Sequence, residues 1–288
     1  PTLVYFNPQG EMVHKSVGAY PAKVLLQHAS NALNPETQLY TLQRRFEKGE
    51  KSNAFLTKYI EALSGAYEDF SKPANLYLAQ LGKDKWATAE GWEFISKYVQ
   101  KSSAEAFEYV MANQAKFEQL APKKEMVKNY IAQVWEGDMR ALAGSRDTQK
   151  LAAFKKKLKK AFGKDADKYI AKAEFWFYVG NKEKSVQYAC KYFDNYCDDF
   201  MELNEIAWGY YESTNDPQKL KKALAWAEKS VELSKNFFNT DTQAHLLFKL
   251  KRYKEAKKVA EESIELAKKT KQNAKETKAL LEKINAKL

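Results

Sequence analysis

Apolar and polar positions follow a strand pattern only at the start of the chain. Leu3–Phe6 is a short apolar run of β-prone residues, typical of a strand buried on both faces. Asn7–Gly10 has Pro and Gly at the second and fourth positions of a tight turn, and Glu11–Val17 then alternates polar with apolar residues. The segment Pro21–Leu33 carries a helical stripe: Val24, Leu25, Ala29, Ala32 and Leu33. The predicted order is strand, turn, strand, helix.

This predicted unit is too small to be a domain. A two-stranded hairpin is marginally stable in water, and one helix covers a single face of it. Every segment after residue 34 reads as helical, so a strand that is apolar on both sides lacks neighbours within the chain. Either a preceding part of the sheet has been removed, or another chain completes the sheet edge, in a dimer or as a partner strand. Removal of a preceding part is the simpler explanation.

The remainder of the chain has helical periodicity. Helical stripes occur at Tyr40–Phe46, Phe55–Tyr67, Leu76–Leu81, Trp92–Val99, Phe107–Phe117 and Val127–Leu142. Near the end the sequence repeats, because Ala227–Lys235 overlies Ala260–Lys268 after a shift of 33 residues, with six of nine positions identical. A helical period of this length indicates stacked hairpins, each hiding its apolar face against the next.

Four positions have the spacing of the second helix of a tetratricopeptide repeat: Tyr253, Ala256, Ala260 and Ser263. The resemblance implies a first helix at about Thr240–Leu250, a preceding repeat from Met201 to Lys235 and a weaker one from Ala173 to Ala189. The preceding repeat has about four extra residues, but Asp216 as N-cap and Pro217 at the first helical position still start a helix well. The Lys- and Glu-rich end, 273–288, is expected to be a polar capping helix.

The same resemblance implies a peptide-binding groove. Its positions in this sequence are Asn204, Trp208, Tyr211, Asp241, His245 and Phe248. An extended peptide or unfolded chain would lie there, so the expected partners are protein or peptide clients. A simpler alternative is that Trp208 and Phe248 pack against the adjacent hairpin, and His245 alone does not indicate a ligand.

The N-terminal segment PTLVYFNPQGEMVHKSVGAYPAKVLLQHASNAL resembles the C-terminal half of a thioredoxin-like domain. Pro1-Thr2 corresponds to the cis-Pro-Thr signature, and Val17-Gly18 to the glycine after the last strand. The resemblance implies that Pro1 occupies the cis-proline position of an active site, the one catalytic position retained. The Cys-x-x-Cys motif that performs thiol–disulfide exchange in this family would lie upstream and is absent from the chain.

A second stretch supports the same assignment. The segments LAQLGKDKWATAEGWEFISKYV and SSAEAFEYVMANQAKFEQL resemble the helical extension that follows a thioredoxin-like domain in secreted proteins of the Bacteroidetes type. The resemblance implies a periplasmic or secreted protein whose signal and N-terminal half are not in this chain.

Composition agrees with a helical protein. The 288 residues include 11 Gly and 7 Pro, too few turn formers for a sandwich, a barrel or a doubly wound sheet. The net charge is +11, and the densest basic run is Phe154–Lys160. Leu151, Phe154, Leu158 and Phe162 form a stripe there that predicts a docked helix; contact with an anionic surface or nucleic acid is the alternative. Arginine is scarce, so no nucleic-acid partner is expected, and no apolar run is long enough for a membrane span.

The titratable residues give no sign of a metal or cofactor site. Three scattered histidines and two cysteines provide no metal cluster, so the expectation is no metal and no cofactor. Cys190 and Cys197 are interpreted as small buried residues, with a disulfide across a frayed helix end as the alternative. Motifs of nucleophilic, acid–base or phosphate-binding sites are absent.

The sequence therefore predicts a mainly α fold: a helical array with tetratricopeptide-like repeats behind a ββα remnant of a thioredoxin-like α/β domain. The predicted segments are 1–34, a helical extension over 35–165, and the repeats over 166–288. The functional hypothesis is the protein-interaction portion of a thiol–disulfide oxidoreductase, non-catalytic by itself. The alternative is a stand-alone peptide-binding or scaffold protein without a redox role.

Overall fold

The computed structural model describes residues 1–288 and is mainly α-helical, with one two-stranded antiparallel sheet near the N-terminus. This confirms the predicted fold class of a helical array behind a small sheet. The chain forms two compact units, Pro1–Asp138 and Met139–Leu288. The predicted segment 1–34 and most of the predicted extension thus share one unit, while residues 139–165 belong with the predicted repeats.

The N-terminal unit begins with the predicted hairpin and helix. Strand β1 (Thr2–Phe6) pairs with β2 (Met12–Val17), and helix α1 (Ala22–Leu33) follows. The Asn7 side chain closes the turn, because its Oδ1 accepts hydrogen bonds from the backbone N–H groups of Gln9 and Glu11 at 3.0 and 2.8 Å. The predicted order of strand, turn, strand and helix is confirmed.

Strand β1 has no covering neighbours within this chain, as the sequence indicated. Its sole strand neighbour is β2, so Leu3, Val4 and Phe6 are exposed, Phe6 by 63%. The α1 stripe is also largely exposed: Leu33 reaches 84%, whereas Ala32 is buried. Burial in this hairpin is concentrated on β2, against which α1 and the next two helices pack.

Eight further helices follow, and the last of them includes the residue at which the first unit ends. They are α2 (Leu39–Glu47), α3 (Asn53–Gly65), α4 (Ser71–Leu81), α5 (Lys83–Trp86), α6 (Ala89–Tyr98), α7 (Glu105–Ala112), α8 (Gln114–Leu120) and α9 (Lys124–Ala141). The predicted continuous stripe Phe107–Phe117 is two helices, because Asn113 leaves the helical conformation and its Nδ2 donates to the Tyr109 carbonyl at 2.9 Å. The short helix α5 was not predicted from the sequence. It follows Gly82, which has a positive φ, and it is held against α4 by a hydrogen bond from Trp86 Nε1 to the Leu78 carbonyl.

The C-terminal unit consists of helices that pack in sequential pairs. They are α10 (Thr148–Phe162), α11 (Ala166–Tyr178), α12 (Ser185–Asn195), α13 (Phe200–Ser213), α14 (Pro217–Ser234), α15 (Phe237–Lys249), α16 (Tyr253–Thr270) and α17 (Lys275–Asn285), with a 3-10 turn at Gly163–Asp165. Consecutive helices contact each other from α13 to α17, and α13 also contacts α15, as α15 contacts α17. Asp216 caps α14 as expected, since its carboxylate accepts the Gln218 N–H at 2.9 Å.

Small residues form the contact surfaces between these helices. Eight core alanines are almost completely inaccessible to solvent: Ala171, Ala189, Ala207, Ala223, Ala227, Ala244, Ala256 and Ala260. A methyl side chain lets two helix backbones approach closely, and larger side chains such as Trp226 fill the space between the alanines.

Two buried serines 33 residues apart make equivalent hydrogen bonds. Ser230 Oγ on α14 donates to the carbonyl of Phe200 at 2.6 Å, and Ser263 Oγ on α16 donates to that of Phe237 at 3.3 Å. Phe200 and Phe237 are the first residues of α13 and α15, so each serine ties its helix to the start of the helix before it.

Helix α10 docks through Leu151, Phe154 and Leu158, which are buried as the sequence predicted. The ring of Phe162 stacks on that of Tyr169, with their centroids 3.7 Å apart.

Cys197 is buried, Cys190 is half-buried, and both are free thiols. None of the helices has the length and apolarity that crossing a membrane requires.

The helix-facing side of the hairpin encloses a buried histidine. His14 on β2 is 1% exposed, and its Nδ1 accepts the Leu39 N–H at 3.2 Å. Its ring lies 5.9 Å from that of His28 on α1. Burial and the neighbouring His28 lower the pKa of His14 to about 4.

We expect the N-terminal unit to lose stability as the pH falls from about 7 towards 4. In this range unfolded His14 takes up a proton and folded His14 does not, so protons favour the unfolded chain. The loss attributable to His14 is up to about 3 kcal/mol in the free energy of unfolding. Urea titrations at pH 7 and pH 4.5 measure it. His14→Asn, which retains an acceptor for the Leu39 N–H, should show a smaller difference, and an equal difference would contradict the assignment.

Candidate peptide-binding groove

A cavity of about 480 Å³ lies in the C-terminal unit, between α13, α15 and the start of α17. Its lining combines aromatic, acidic and amide side chains: Asn204, Trp208, Phe237, Phe238, Asp241, Thr242, Asn273, Lys275, Glu276 and Thr277. The volume is within the range of ligand-binding pockets in proteins. We refer to this cavity as the groove.

Helix α13 supplies one wall. Asp199 caps the helix by accepting the N–H groups of Met201 and Glu202 at 2.8 and 3.2 Å. Asn204 and Trp208 follow four residues apart, so they share one face of the helix. Leu203 and Ala207 lie on the adjacent side of the helix, about 100° away, and are buried in the core, which fixes the direction in which the wall faces.

Helix α15 supplies the second wall. Its start is fixed by a capping box between Asn236 and Asn239, each side chain accepting a backbone N–H of the other. Asp241 and His245 then lie one turn apart, and His245 Nδ1 is 3.4 Å from Asp241 Oδ1. Ala244, beside His245, is fully buried against the core.

The two walls meet through an aromatic cluster. The Trp208 ring lies 4.8 Å from that of Tyr211 and 5.4 Å from that of His245, and Tyr211 and His245 are 5.2 Å apart. This contact holds the exposed part of Trp208 in a defined orientation beside the cavity.

The start of α17 closes one end of the groove. Thr277 Oγ1 donates to Asp241 Oδ1 at 2.6 Å, which links α17 to α15. Lys275 and Glu276 precede it and are exposed. The end of the groove therefore carries charges of both signs next to the Asp241 carboxylate.

Charge in the groove is coupled through His245. Burial lowers the pKa of this histidine, but the hydrogen bonds and the negative charge of Asp241 outweigh burial, and the net effect is a raised pKa. Burial, followed in size by the charge of Asp241, also raises the pKa of Tyr211. The negative charge of Glu276 at the mouth of the groove also raises the pKa of His245, by less than Asp241 does.

Two side chains in the groove are incompletely paired or covered by the protein. Asn204 Oδ1 is buried without a hydrogen-bond partner, and Phe238 is 57% exposed although it is a large apolar residue. An acceptor that is unpaired and an exposed aromatic ring both favour a bound ligand with N–H donors and an apolar side chain.

Five of the six predicted groove residues are brought together, in the cavity wall or directly behind it: Asn204, Trp208, Tyr211, Asp241 and His245. Phe248 lies elsewhere: its ring is 5.6 Å from that of Tyr253, at the start of α16 in the same hairpin, and it packs against the core. Pro1 belongs to the N-terminal unit, where its carbonyl accepts the Gly18 N–H at 2.9 Å.

The sequence did not point to Phe237, Phe238, Thr242 or the start of α17. The adjacent pair Phe237–Phe238 at a helix start was a usable signal, because an amphipathic helix buries only one of two neighbouring positions. The contribution of Thr277 had no such signal, since it depends on where α17 packs.

The two thiols are weakened as nucleophiles by burial. Burial raises the pKa of both Cys190 and Cys197, which disfavours the nucleophilic thiolate. Cys197 Sγ instead lies 3.7 Å from the Asp199 carbonyl, at the start of α13.

Comparison of the chain with protein-family models, with curated proteins and with solved structures gives no match.

We expect Asp241→Asn to lower the pKa of His245 below the ordinary value for histidine, because burial then acts without the opposing carboxylate. With three histidines in the chain, the titration can be followed by NMR of the imidazole resonances. Glu212→Gln removes a nearby exposed acid from α13 and should leave the pKa of His245 unchanged. An unaltered His245 pKa in Asp241→Asn would contradict the proposed coupling.

Proposed function

We propose that the C-terminal unit is a protein-interaction module that binds an extended peptide segment in the groove between α13, α15 and α17. The observation that carries this proposal is the unpaired Asn204 amide and the exposed Phe238 ring lining one cavity with Trp208. A peptide offers both backbone N–H donors for such an acceptor and side chains for such rings.

The architecture of the unit supports a repeat protein of the tetratricopeptide type. Consecutive helices pack in pairs, and the helices that line the groove, α13, α15 and α17, are alternate members of the series. The donors Ser230 and Ser263 make equivalent hydrogen bonds and are separated by the 33-residue period found in the sequence. In stacked hairpins, alternate helices form a continuous surface suited to an extended ligand.

A catalytic role for the groove has less support. A carboxylate next to a histidine is one element of acid–base chemistry, but His245 is 8% exposed and its Nδ1 faces Asp241 and its own helix. No serine, threonine or cysteine nucleophile is hydrogen-bonded to the imidazole. The contacts of His245 are those of a residue that positions Trp208.

We expect Phe238→Ala to weaken peptide binding about tenfold. The variant removes one aromatic contact with the peptide, which contributes about 1–2 kcal/mol to the free energy of binding. The probe is the tightest binder selected from an array of random twelve-residue peptides, and binding is followed by fluorescence anisotropy. Because Phe238 is exposed, its truncation should leave the folding stability almost unchanged. Asn204→Ala should weaken binding of the same peptide by a smaller factor, since it removes only one hydrogen bond to the peptide.

The matched control is Tyr67→Ala, which truncates another exposed aromatic residue in the N-terminal unit and should bind the peptide like the wild type. The proposal fails if the array yields no binder, or if the Phe238→Ala and Tyr67→Ala variants bind with equal affinity.

For the N-terminal unit we propose a second role, as part of a thioredoxin-like thiol–disulfide oxidoreductase in the periplasm or a secreted space. The free edge of β1 and its exposed apolar side chains support this, because a strand with Leu3, Val4 and Phe6 exposed lacks covering neighbours. Pro1, at the start of that strand, would be the retained cis-proline position. In such a protein the groove would recruit clients for disulfide exchange.

The test is the coding sequence upstream of Pro1. The proposal expects a Cys-x-x-Cys motif at a predicted helix start in the same reading frame, and a cysteine-dependent disulfide reductase activity in the longer protein. A stop codon directly before Pro1 would contradict it. In that case a partner strand or a second copy of the chain would complete the sheet edge. Peptide binding or scaffolding would then be the remaining function.

A further inference from the structure

Helix α10 differs from its neighbours in charge. It carries six lysines and no acidic residue between Thr148 and Phe162: Lys150, Lys155, Lys156, Lys157, Lys159 and Lys160. In α16, by contrast, five lysines are mixed with four glutamates. The apolar stripe of α10 is buried, so its lysines project from the remaining surface.

Four of these lysines have no carboxylate partner. Lys150 lies 3.8 Å from Asp147, and Lys155 is paired at 2.5 Å with the buried Glu174. The other four are exposed and make no ion pair: Lys156, Lys157, Lys159 and Lys160. We refer to these four as the lysine face.

The lysine face is electrostatically unfavourable by itself. Lys156 and Lys160 are four residues apart, and like charges at this spacing repel each other on a helix. The helix dipole favours cations in the last turn, which accounts for Lys159 and Lys160 but not for Lys156 or Lys157 in the middle. A negatively charged partner would remove this repulsion.

The chemistry of the face favours a planar anionic surface over nucleic acid. Lysine is a flexible point charge, whereas the bidentate grip on phosphates and bases comes from arginine, which α10 lacks. The four lysines of the face lie within the five residues Lys156–Lys160, so they form one compact patch of positive charge on the helix. Each lysine that lies close to an anionic leaflet adds to the electrostatic attraction between the helix and the membrane surface.

We propose that the lysine face of α10 binds the surface of a membrane containing anionic phospholipids. The contact is peripheral, because Leu151, Phe154 and Leu158 are buried in the protein and unavailable for insertion. Attachment of this kind is purely electrostatic, so it weakens steeply as salt screens the charges. This role is independent of peptide binding in the groove.

The test is co-sedimentation of the 288-residue chain with vesicles of equimolar phosphatidylcholine and phosphatidylglycerol, compared with vesicles of phosphatidylcholine alone. We expect binding to the anionic vesicles only, and its loss in high salt. The triple variant Lys156→Glu, Lys159→Glu, Lys160→Glu should bind at least tenfold more weakly. A variant with glutamine at the same three positions removes the positive charges without adding negative ones. It should show an intermediate loss of binding, which separates the loss of lysine from repulsion by the introduced glutamates.

The matched control changes three exposed lysines of α16, in the variant Lys254→Glu, Lys258→Glu, Lys269→Glu. Both triple variants alter the net charge equally, so the control should keep most of the binding. Equal loss in both triples would show that net charge alone is responsible and would overturn the proposal. It would also be overturned if the wild type failed to bind anionic vesicles, or bound single-stranded RNA in preference to them.

Discussion

Close helix packing through alanine is the constraint on which the C-terminal unit depends. No hairpin in this unit can bury its apolar face alone, so each relies on the next. The fully buried Ala207 on α13 and Ala244 on α15 let these helices lie against their neighbours, and that approach places Trp208 within 5.4 Å of His245. A larger residue at either alanine would separate the helices, and the aromatic contact beside the groove would be lost.

The groove is made from the helix faces that the core does not use. Leu203 and Ala207 point into the core, and Asn204 and Trp208, each one residue further along, line the cavity. Polar contacts then fix the alternate helices relative to one another. Lys172 on α11 pairs with Glu202 on α13 at 2.5 Å, and Thr277 on α17 bonds Asp241 on α15. The binding surface is therefore as rigid as the stack that carries it, which reduces the cost of ordering it on binding.

Local signals in the sequence were enough to predict most elements. The 33-residue repeat, the Asp216–Pro217 helix start and the Asn7–Gly10 turn each depend on neighbouring residues, and the structure has a helix or turn at each. The break at Asn113 and the short helix α5 could not be predicted, because they follow from side-chain hydrogen bonds and tertiary packing. For the same reason the groove was predicted in part. The periodicity identified positions on α13 and α15, whereas Phe238 and Thr277 line the cavity only because α17 returns to α15.

Peptide binding in the groove is tested most directly by the tryptophan side chains themselves. The chain has six tryptophans, and their indole N–H groups give separate NMR signals that can be assigned by substitution. On addition of a pool of random twelve-residue peptides, the signal of Trp208 is predicted to shift, while that of Trp226, buried in the same unit and bonded to Asp194, stays in place. An unchanged Trp208 signal, or shifts confined to tryptophans outside the groove, would contradict the assignment of this cavity as the binding site.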